Sequence, residues 1–463
     1  MKICGIIAEY NPFHSGHAYQ IARARKLSGC DYIIAVMSGD FVQRGAPALM
    51  EKYSRARMAL AEGADLVLML PVYGSTASAE GFARAGVSAL LTTGVVDAIS
   101  FGCENPSICS DSYRHLAKEL AHESADFTAA LGKHLAKGMP YAQARIEAVR
   151  ACYGSDFDLS LLDTPNNMLT FEYMRALDYF GAELELVPVR RLGNYHDVRK
   201  ISSMQTTASS HSENMHSKIS ANRSASPLIT SLTDDPPAQK DGLSISGEIS
   251  FASASACRKA ILSDFSREFQ TLDRARQIPP EVCRLLADYA ANYPFLQEDD
   301  LSLPLHYALL ARKPLGYGSF LDCGADLSAR ISNCLEAYQS VSGFCDLLKN
   351  KSVTHARIAR ALTHILLQLP AAMPAPLVSD RGTLPYLRVL GFRQASAPLL
   401  HEIRQRAKSP LITRVPEAER MLSADALQYF RQDLFASEVY RSVILHKCGH
   451  CYPDDYRRRI EIV

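Results

Sequence analysis

Along the first hundred residues the apolar and polar positions switch repeatedly between two periods. Short unbroken apolar runs, "KICGIIA", "DYIIAVM", "ADLVLMLP" and "VVDAISFG", have the length and composition of buried strands. Between them lie "HAYQIARARKL", "EKYSRARMALAEG" and "STASAEGFARAGVSALLTTG", which repeat their apolar residues at helical spacing. Gly63 follows the second helix as a C-terminal cap, and Pro71 ends the third strand. This alternation predicts an α/β fold, a Rossmann-like doubly wound parallel sheet. Ligands of such sheets bind at the carboxyl ends of the strands. The polar, glycine-rich strings "EYNPFHSGH", "SGDFVQRG", "LPVY" and "FGCEN" fall at those four ends, which predicts one site assembled from loops.

Helical patterns continue at about 112–137 and 141–152 and through "NNMLTFEYMRALDYFG", and "AELELVPVRRLGNYHD" reads as a further strand leaving the sheet. Residues 202–246 change character: 12 of these 45 are serine, and "TDDPPAQKDG" breaks regular structure. Such a stretch cannot bury a core, so a mobile insertion is expected there. Order returns at "EISFASASACRKAI", and from about residue 266 helical patterns dominate. The expected organisation is a catalytic domain over 1–265 that contains the insertion, then an all-α C-terminal domain over 266–463.

Composition narrows the class. Hydrophobic residues make up 47% and charged residues 21%, as in globular proteins. The start "MKICGIIAEY" lacks a charged segment followed by a long apolar run, and no run of about 18 apolar residues occurs, so a soluble, cytoplasmic protein without membrane contact is expected. Twelve cysteines follow no framework spacing. Cys448 and Cys451 of "HKCGHCYP" have CxxC spacing, but a structural zinc site needs four ligands and no second pair follows, so no metal is expected. The net charge of +1 conceals an asymmetry: from Lys351 onward 17 Lys and Arg stand against 10 Asp and Glu, a balance of +7, leaving −6 for residues 1–350. A basic C-terminal part fits a phosphate-rich partner, though a solvated basic face has the same composition. In "KNKSVTHARIARALTHILL", Lys349, Lys351, Arg357 and Arg360 form the basic edge of an amphipathic helix.

The chemistry begins at His14 and His17. A helix N-terminus offers unpaired N–H groups and favours phosphate. If a helix starts near Ser15 or Gly16, the two imidazoles flank an anion pocket, and Gly16 permits close approach because it has no Cβ. Donors aimed at phosphate oxygens would act where charge grows as pyrophosphate leaves. In "FASASACRK", Ser253 and Ser255 offer hydroxyls and Arg258 a guanidinium for the β,γ-phosphates. The same string also reads as a plain helix cap. "SGDFVQRG" places Asp40, Gln43 and Arg44 just beyond the second strand. Arg44 is a candidate for a phosphate and Asp40 for the nucleobase or an acceptor amine, against the plain reading of a surface turn.

The HxGH string after the first strand resembles the HxGH nucleotidyltransferases, the superfamily of adenylyltransferases and class I aminoacyl-tRNA synthetases. "GIIAEYNPFHSGH", "VMSGDFVQRGAPA", "FGCEN", "PNNMLTFEY", "RRLGNYHD" and "FASASACRK" in that order resemble more closely the bacterial tRNA(Met) cytidine acetate ligase family. The helical strings "KNKSVTHARIARALTHILL", "PYLRVLGF" and "SPLITR" extend the likeness over nearly the whole chain. The resemblance implies that ATP, with Mg²⁺, activates acetate as acetyl-adenylate, and that the acetyl group passes to N4 of the wobble cytidine of elongator tRNA(Met). It implies an ATP-binding loop of Ile7, Ala8, Glu9, Tyr10, Asn11, Pro12, Phe13, His14, Ser15, Gly16, His17, Ala18, Tyr19 and Gln20. It adds Gly102, Asn167 or its neighbour Asn166, and Arg191 or its neighbour Arg190. One residue fewer than the family usually has separates that arginine from "YHD", the insertion is longer, and the "HKCGHC" end is a departure. Acetate is ionised at neutral pH, so its attack needs no general base, and the chain has no GxSxG string. Two other readings remain: a small-molecule adenylyltransferase of the same superfamily, and a non-catalytic RNA-binding protein that holds ATP.

Overall fold

The structure is a computed structural model that describes residues 1–139, 141–154, 158–192, 251–263, 276–350 and 353–463. The expected insertion at 202–246 lies outside the described residues. The first apolar run forms strand β1 (Ile3–Ala8), flanked by β2 (Tyr32–Ser38) and β6 (Ala98–Cys103), both parallel to it. Strand β5 (Leu66–Leu70) lies beyond β2, and β7 (Glu185–Arg190) beyond β6, again parallel. The order β5-β2-β1-β6-β7 places β1 in the middle and lets all these carboxyl ends open on the same edge. A short antiparallel hairpin, β3 (Phe41–Val42) and β4 (Ala46–Pro47), follows β2.

Helices cover both faces. On one face helices α1 (Ser15–Ser28) and α2 (Lys52–Ala61) bury Ile21, Ala24, Ala56 and Leu60 against Cys4, Ile6, Ile33 and Ala35. On the other, α3 (Ala79–Thr92) and α4 (Pro165–Tyr179) bury Phe82, Leu90, Tyr173 and Leu177 with Ile3, Ile7, Ile34 and Val36. The inner strands β1, β2 and β5 alternate their side chains between these two layers, which is why nearly all of their positions are apolar rather than every second one. After helix α5 (Ala254–Ser263), a run of helices begins at α6 (Pro280–Asn292). With α7 (His355–Leu366) and the long α8 (Ala424–Cys448) it builds a separate core around Leu305, Phe344, Ile358, Leu362, Phe430 and Tyr440.

The C-terminal part departs from the all-helical expectation. "LRVLGF" forms β8 (Leu387–Phe392), antiparallel to β5, and β9 (Leu411–Ile412) and β10 (Glu461–Ile462) pair with β8. The chain thus returns to the sheet and closes its β5 edge, giving an eight-stranded sheet among the described residues. Six apolar residues are too few for the helical and strand periods to be told apart, and the open edge of β5 decides the matter.

Candidate active site

The turn between β1 and α1 is built by its own side chains. His14 is the N-cap of α1, with extended backbone (φ −143°, ψ 172°). Its Nδ1 accepts the Gly16 N–H at 3.0 Å, and His17 Nδ1 accepts the His14 N–H at 3.3 Å. The two rings lie 3.8 Å apart between centroids. Because each Nδ1 is an acceptor, each neutral ring carries its proton on Nε2. A Cβ at residue 16 would stand 2.8 Å from His14 Cε1, so only glycine leaves room for the capping imidazole. Phe13, fully buried, and Tyr10 pack against the His17 ring at centroid distances of 5.5 and 5.0 Å and hold it in place.

The N–H groups at the start of α1 do not form the anion pocket that the sequence predicts. Ser15 N–H donates to Gln277 O at 2.9 Å, Gly16 N–H goes to His14 Nδ1, and His17 N–H goes to His14 O at 2.9 Å. The helix end is capped from within, and its contribution to a ligand passes through the imidazoles. Desolvation pushes the His14 pKa down to about 3, with the Arg191 and Arg258 charges adding to it. Desolvation also holds His17 well below its ordinary value, helped by His14 and Arg191. Both rings are neutral Nε2–H donors at pH 7.

A cavity of about 800 Å³ opens at the carboxyl ends of β1, β6 and β7 and at the β3–β4 hairpin. His14, His17, Arg44, Arg190, Arg191 and Arg258 line it, a concentration of donors and positive charge suited to a polyphosphate. Arg258 is anchored by bonds to Asn11 O and, at 3.0 Å, to Ser255 Oγ. Phe82, Phe101, Leu169, Tyr173 and Phe251 supply apolar wall for a flat ring. The loop carrying the histidines is fastened from below by Arg55, fully buried. Its guanidinium donates to Glu9 O at 2.6 Å, Met50 O at 2.9 Å, Ser38 O at 3.1 Å and also Gly39 O. Gly45, at φ 72°, lets the β3–β4 turn that bears Arg44 meet the α7 backbone at Ala359 and Arg360. Thr363 Oγ1 then donates to Gly45 O at 2.8 Å.

Of the residues singled out in the sequence, Ile7, Ala8, Glu9, Tyr10, Asn11, Gly16, Tyr19, Gln20 and Gly102 line the cavity with the histidines and arginines. Pro12, Phe13, Ser15 and Ala18 stand behind the lining: Phe13 and Ala18 are core, and Ser15 Oγ donates to Arg276 O at 2.8 Å. Two candidates are corrected. Asp40 does not reach the cavity: it pairs with the buried Lys52 Nζ at 2.8 Å and accepts the Lys52 N–H at 2.8 Å. Lys52 also meets Asp455 at 3.0 Å, and Asp455 meets Arg388 at 2.9 Å, so Asp40 belongs to a buried ionic network joining α2 to the C-terminal strands. Buried carboxylates of this kind need a partner, and no local pattern pairs Asp40 with Lys52, 12 residues further along. Asn167 likewise is structural: its Oδ1 accepts the N–H groups of Glu104 (3.0 Å) and Asn105 (3.3 Å). It is Asn166 that lines the cavity, together with both Arg190 and Arg191.

Sequence reasoning missed one wall. Leu296, Gln297, Glu298, Asp299, His355 and Ala356, from the helical part, also line the cavity. No local motif marks them; they arrive by tertiary packing, with Leu296 N–H donating to Leu49 O at 3.1 Å. The basic edge of α7 is also altered, since Arg360 Nε pairs with Asp322 at 2.9 Å while Arg357 stays exposed. Lys351 lies outside the described residues. Among the described residues no three His, Cys, Asp or Glu side chains gather as a metal site, and no helix is long and apolar enough to cross a membrane.

The family model described as HIGH Nucleotidyl Transferase matches residues 1–233 and 236–452. The tRNA(Met) cytidine acetate ligase of Thermoanaerobacter sp. (strain X514) is 32% identical over 441 residues, covering 95% of each chain. That of Caldanaerobacter subterraneus subsp. tengcongensis is 31% identical over 444 residues, again covering 95% of each. The crystal structure of Thermotoga maritima TmcAL bound with alpha-thio ATP superposes with a TM-score of 0.80 over the whole of both chains at 23% identity, which shows a shared fold. With an HxGH turn of this geometry, a matched family model and relatives alike from end to end, the chain belongs to the HIGH nucleotidyl transferases and, among them, to the tRNA(Met) cytidine acetate ligase family.

Proposed function

We propose that this protein activates acetate with ATP as acetyl-adenylate and transfers the acetyl group to N4 of the wobble cytidine of elongator tRNA(Met). The observation that carries the reading is the pair of Nε2–H imidazoles beside Arg190, Arg191 and Arg258 in one cavity, in a chain whose relatives carry the acetate ligase name. The apolar wall takes adenine and the arginines take the triphosphate. Asn166, Gly102 and the residues of the Ile7–Gln20 segment that line the cavity complete the ATP site. Acetate, already an anion at pH 7, attacks the α-phosphorus and pyrophosphate departs. His14 and His17 donate from Nε2 to oxygens whose charge grows in that step, and Arg44 and Arg258 offset the approach of two anions. Neutral imidazoles suit this place, because Nδ1 accepts a backbone N–H at the helix start while Nε2–H remains to donate. Mg²⁺ fits as an ion carried by the phosphates rather than a resident of the protein, given the absence of a ligand cluster among the described residues, and it would screen the same charges.

The part after residue 265 is assigned to tRNA docking, on the strength of the +7 balance from Lys351 onward. Such an enzyme works in the cytoplasm, where its tRNA is. The test is incubation with labelled acetate, ATP and tRNA(Met), followed by nucleoside analysis. Label in N4-acetylcytidine is the expected result. Label confined to a small adenylylated product would favour the small-molecule adenylyltransferase, and ATP binding without turnover would favour the RNA-binding protein.

A further inference from the structure

The cavity wall supplied by the helical part differs in charge from the wall supplied by the sheet. Its acids sit on a turn that is held firmly: Gln297 N–H donates to Asp300 at 2.8 Å, Asp300 N–H donates to Gln297 O at 3.1 Å, and Lys447 pairs with Asp300. Asp299 uses both carboxylate oxygens on Ser342, one from N–H at 2.8 Å and one from Oγ at 2.7 Å. Glu298 differs. It lines the cavity half-buried, and among the described residues its carboxylate has no hydrogen-bond or ion-pair partner. A carboxylate there repels a triphosphate, so this wall suits the other substrate. The acceptor cytosine presents an exocyclic amine, which is the group that Glu and Asp recognise on this base. A wobble base is single-stranded and can be turned out of its stack into a pocket.

We propose that Glu298 binds the N4 amine of the acceptor cytidine and takes its proton during acetyl transfer. The inference rests on the acetate ligase reading. In the step, the N4 lone pair forms the new bond to the acetyl carbonyl carbon. The bond from that carbon to the AMP oxygen breaks, and its electron pair leaves with AMP. The proton lost from N4 passes to the Glu298 carboxylate. Burial raises the proton affinity of Glu298, His355 opposes this, and the Asp299 and Asp346 charges add to it. That direction favours a proton acceptor.

The test separates the two half-reactions in full-length Glu298→Gln, with Glu298→Ala in parallel. Acetyl-adenylate formation is measured with labelled acetate, ATP and tRNA(Met) in which uridine replaces the acceptor cytidine. Transfer is measured in a single turnover with tRNA(Met) itself. Adenylate formation should stay within about twofold of the wild-type rate, which also certifies the fold, while transfer falls by about 10²–10⁴-fold. Transfer at the wild-type rate would overturn the proposal. Loss of adenylate formation in both variants would overturn it as well, since Glu298 would then serve the first step, for example by holding a cation on the triphosphate. Failure of the wild-type protein to make acetyl-adenylate would instead sink the acetate ligase reading.

Discussion

His14 divides its two ring nitrogens between folding and chemistry. Nδ1 caps α1, which leaves Nε2 for the cavity that the ring lines, and Gly16 makes this possible by leaving space for the ring. Gly16→Ala should therefore damage activity more than stability. Alanine gains about 1 kcal/mol of helix propensity, which offsets a weakened cap worth about 1 kcal/mol. The displaced imidazole should lower adenylate formation by about 10²-fold, as expected for a lost transition-state donor; a variant with normal turnover would show that the ring position is immaterial. The depressed His14 pKa has its own consequence. In the unfolded chain this ring takes up a proton near pH 6.5, in the folded chain only near pH 3. Between those values the unfolded state binds more protons, so its contribution to stability is complete above pH 6.5 and declines as pH falls. His14→Asn retains a good N-cap and removes the proton site. Urea denaturation at several pH values between 4 and 6.5 should show a slope shallower than wild type by up to about 1.4 kcal/mol per pH unit.

At the level of elements, the strand ends are held by buried charge. Arg55 gathers the backbone carbonyls at the ends of β1 and β2, and the Asp40–Lys52–Asp455–Arg388 network ties α2 to β8 and the C-terminal turn. Asp40→Asn leaves Lys52 with one carboxylate fewer in a buried site, at a cost of up to about 3 kcal/mol. Thermal unfolding should move down accordingly, while adenylate formation per folded molecule stays near wild type. A large loss of chemistry without loss of stability would return Asp40 to the substrate site. The segment between β7 and α5 makes a second case. Leu192 O accepts the Phe251 N–H at 2.9 Å, so the two ends of the segment meet at the cavity rim. Deleting 202–246, whose composition cannot bury a core, should leave ATP binding and acetyl transfer within a few-fold of the full chain. Loss of ATP binding in the shortened protein would show that the insertion takes part in the site.

For the whole molecule, the two halves share one cavity: the sheet contributes the cationic wall and the helical part contributes Glu298 and His355. On the proposed function, the part with the +7 balance from Lys351 onward is the one that would meet the tRNA backbone. Arg357 is exposed, whereas Arg360 is held by Asp322. Arg357→Ala should weaken tRNA(Met) binding and reduce the slope of log K against log salt by about 0.7–0.9, the share of one phosphate contact. Arg360→Ala should instead act on stability through the broken pair. Equal salt slopes for Arg357→Ala and wild type would remove this helix edge from the tRNA surface.

Much of this was legible in the chain itself. Four apolar runs separated by helical periods determined the parallel sheet, because strands buried on both faces must be apolar throughout. The HxGH string, followed in order by "FGCEN", "RRLGNYHD" and "FASASACRK", determined where nucleotide chemistry would gather, because strand ends of such a sheet converge. Only the tertiary structure decided the rest. It gave Asp40 a buried lysine and so removed it from the substrate. It set Asn166 at the cavity and Asn167 behind it, since one helical step turns a side chain from the cavity into the protein. It brought β8 back to the edge of β5, and it carried Glu298 to the cavity from nearly three hundred residues beyond His14. Local patterns report the period and the polarity of a segment. Partners distant in sequence are set by packing, and packing is what assigns a charged side chain to the core or to the site.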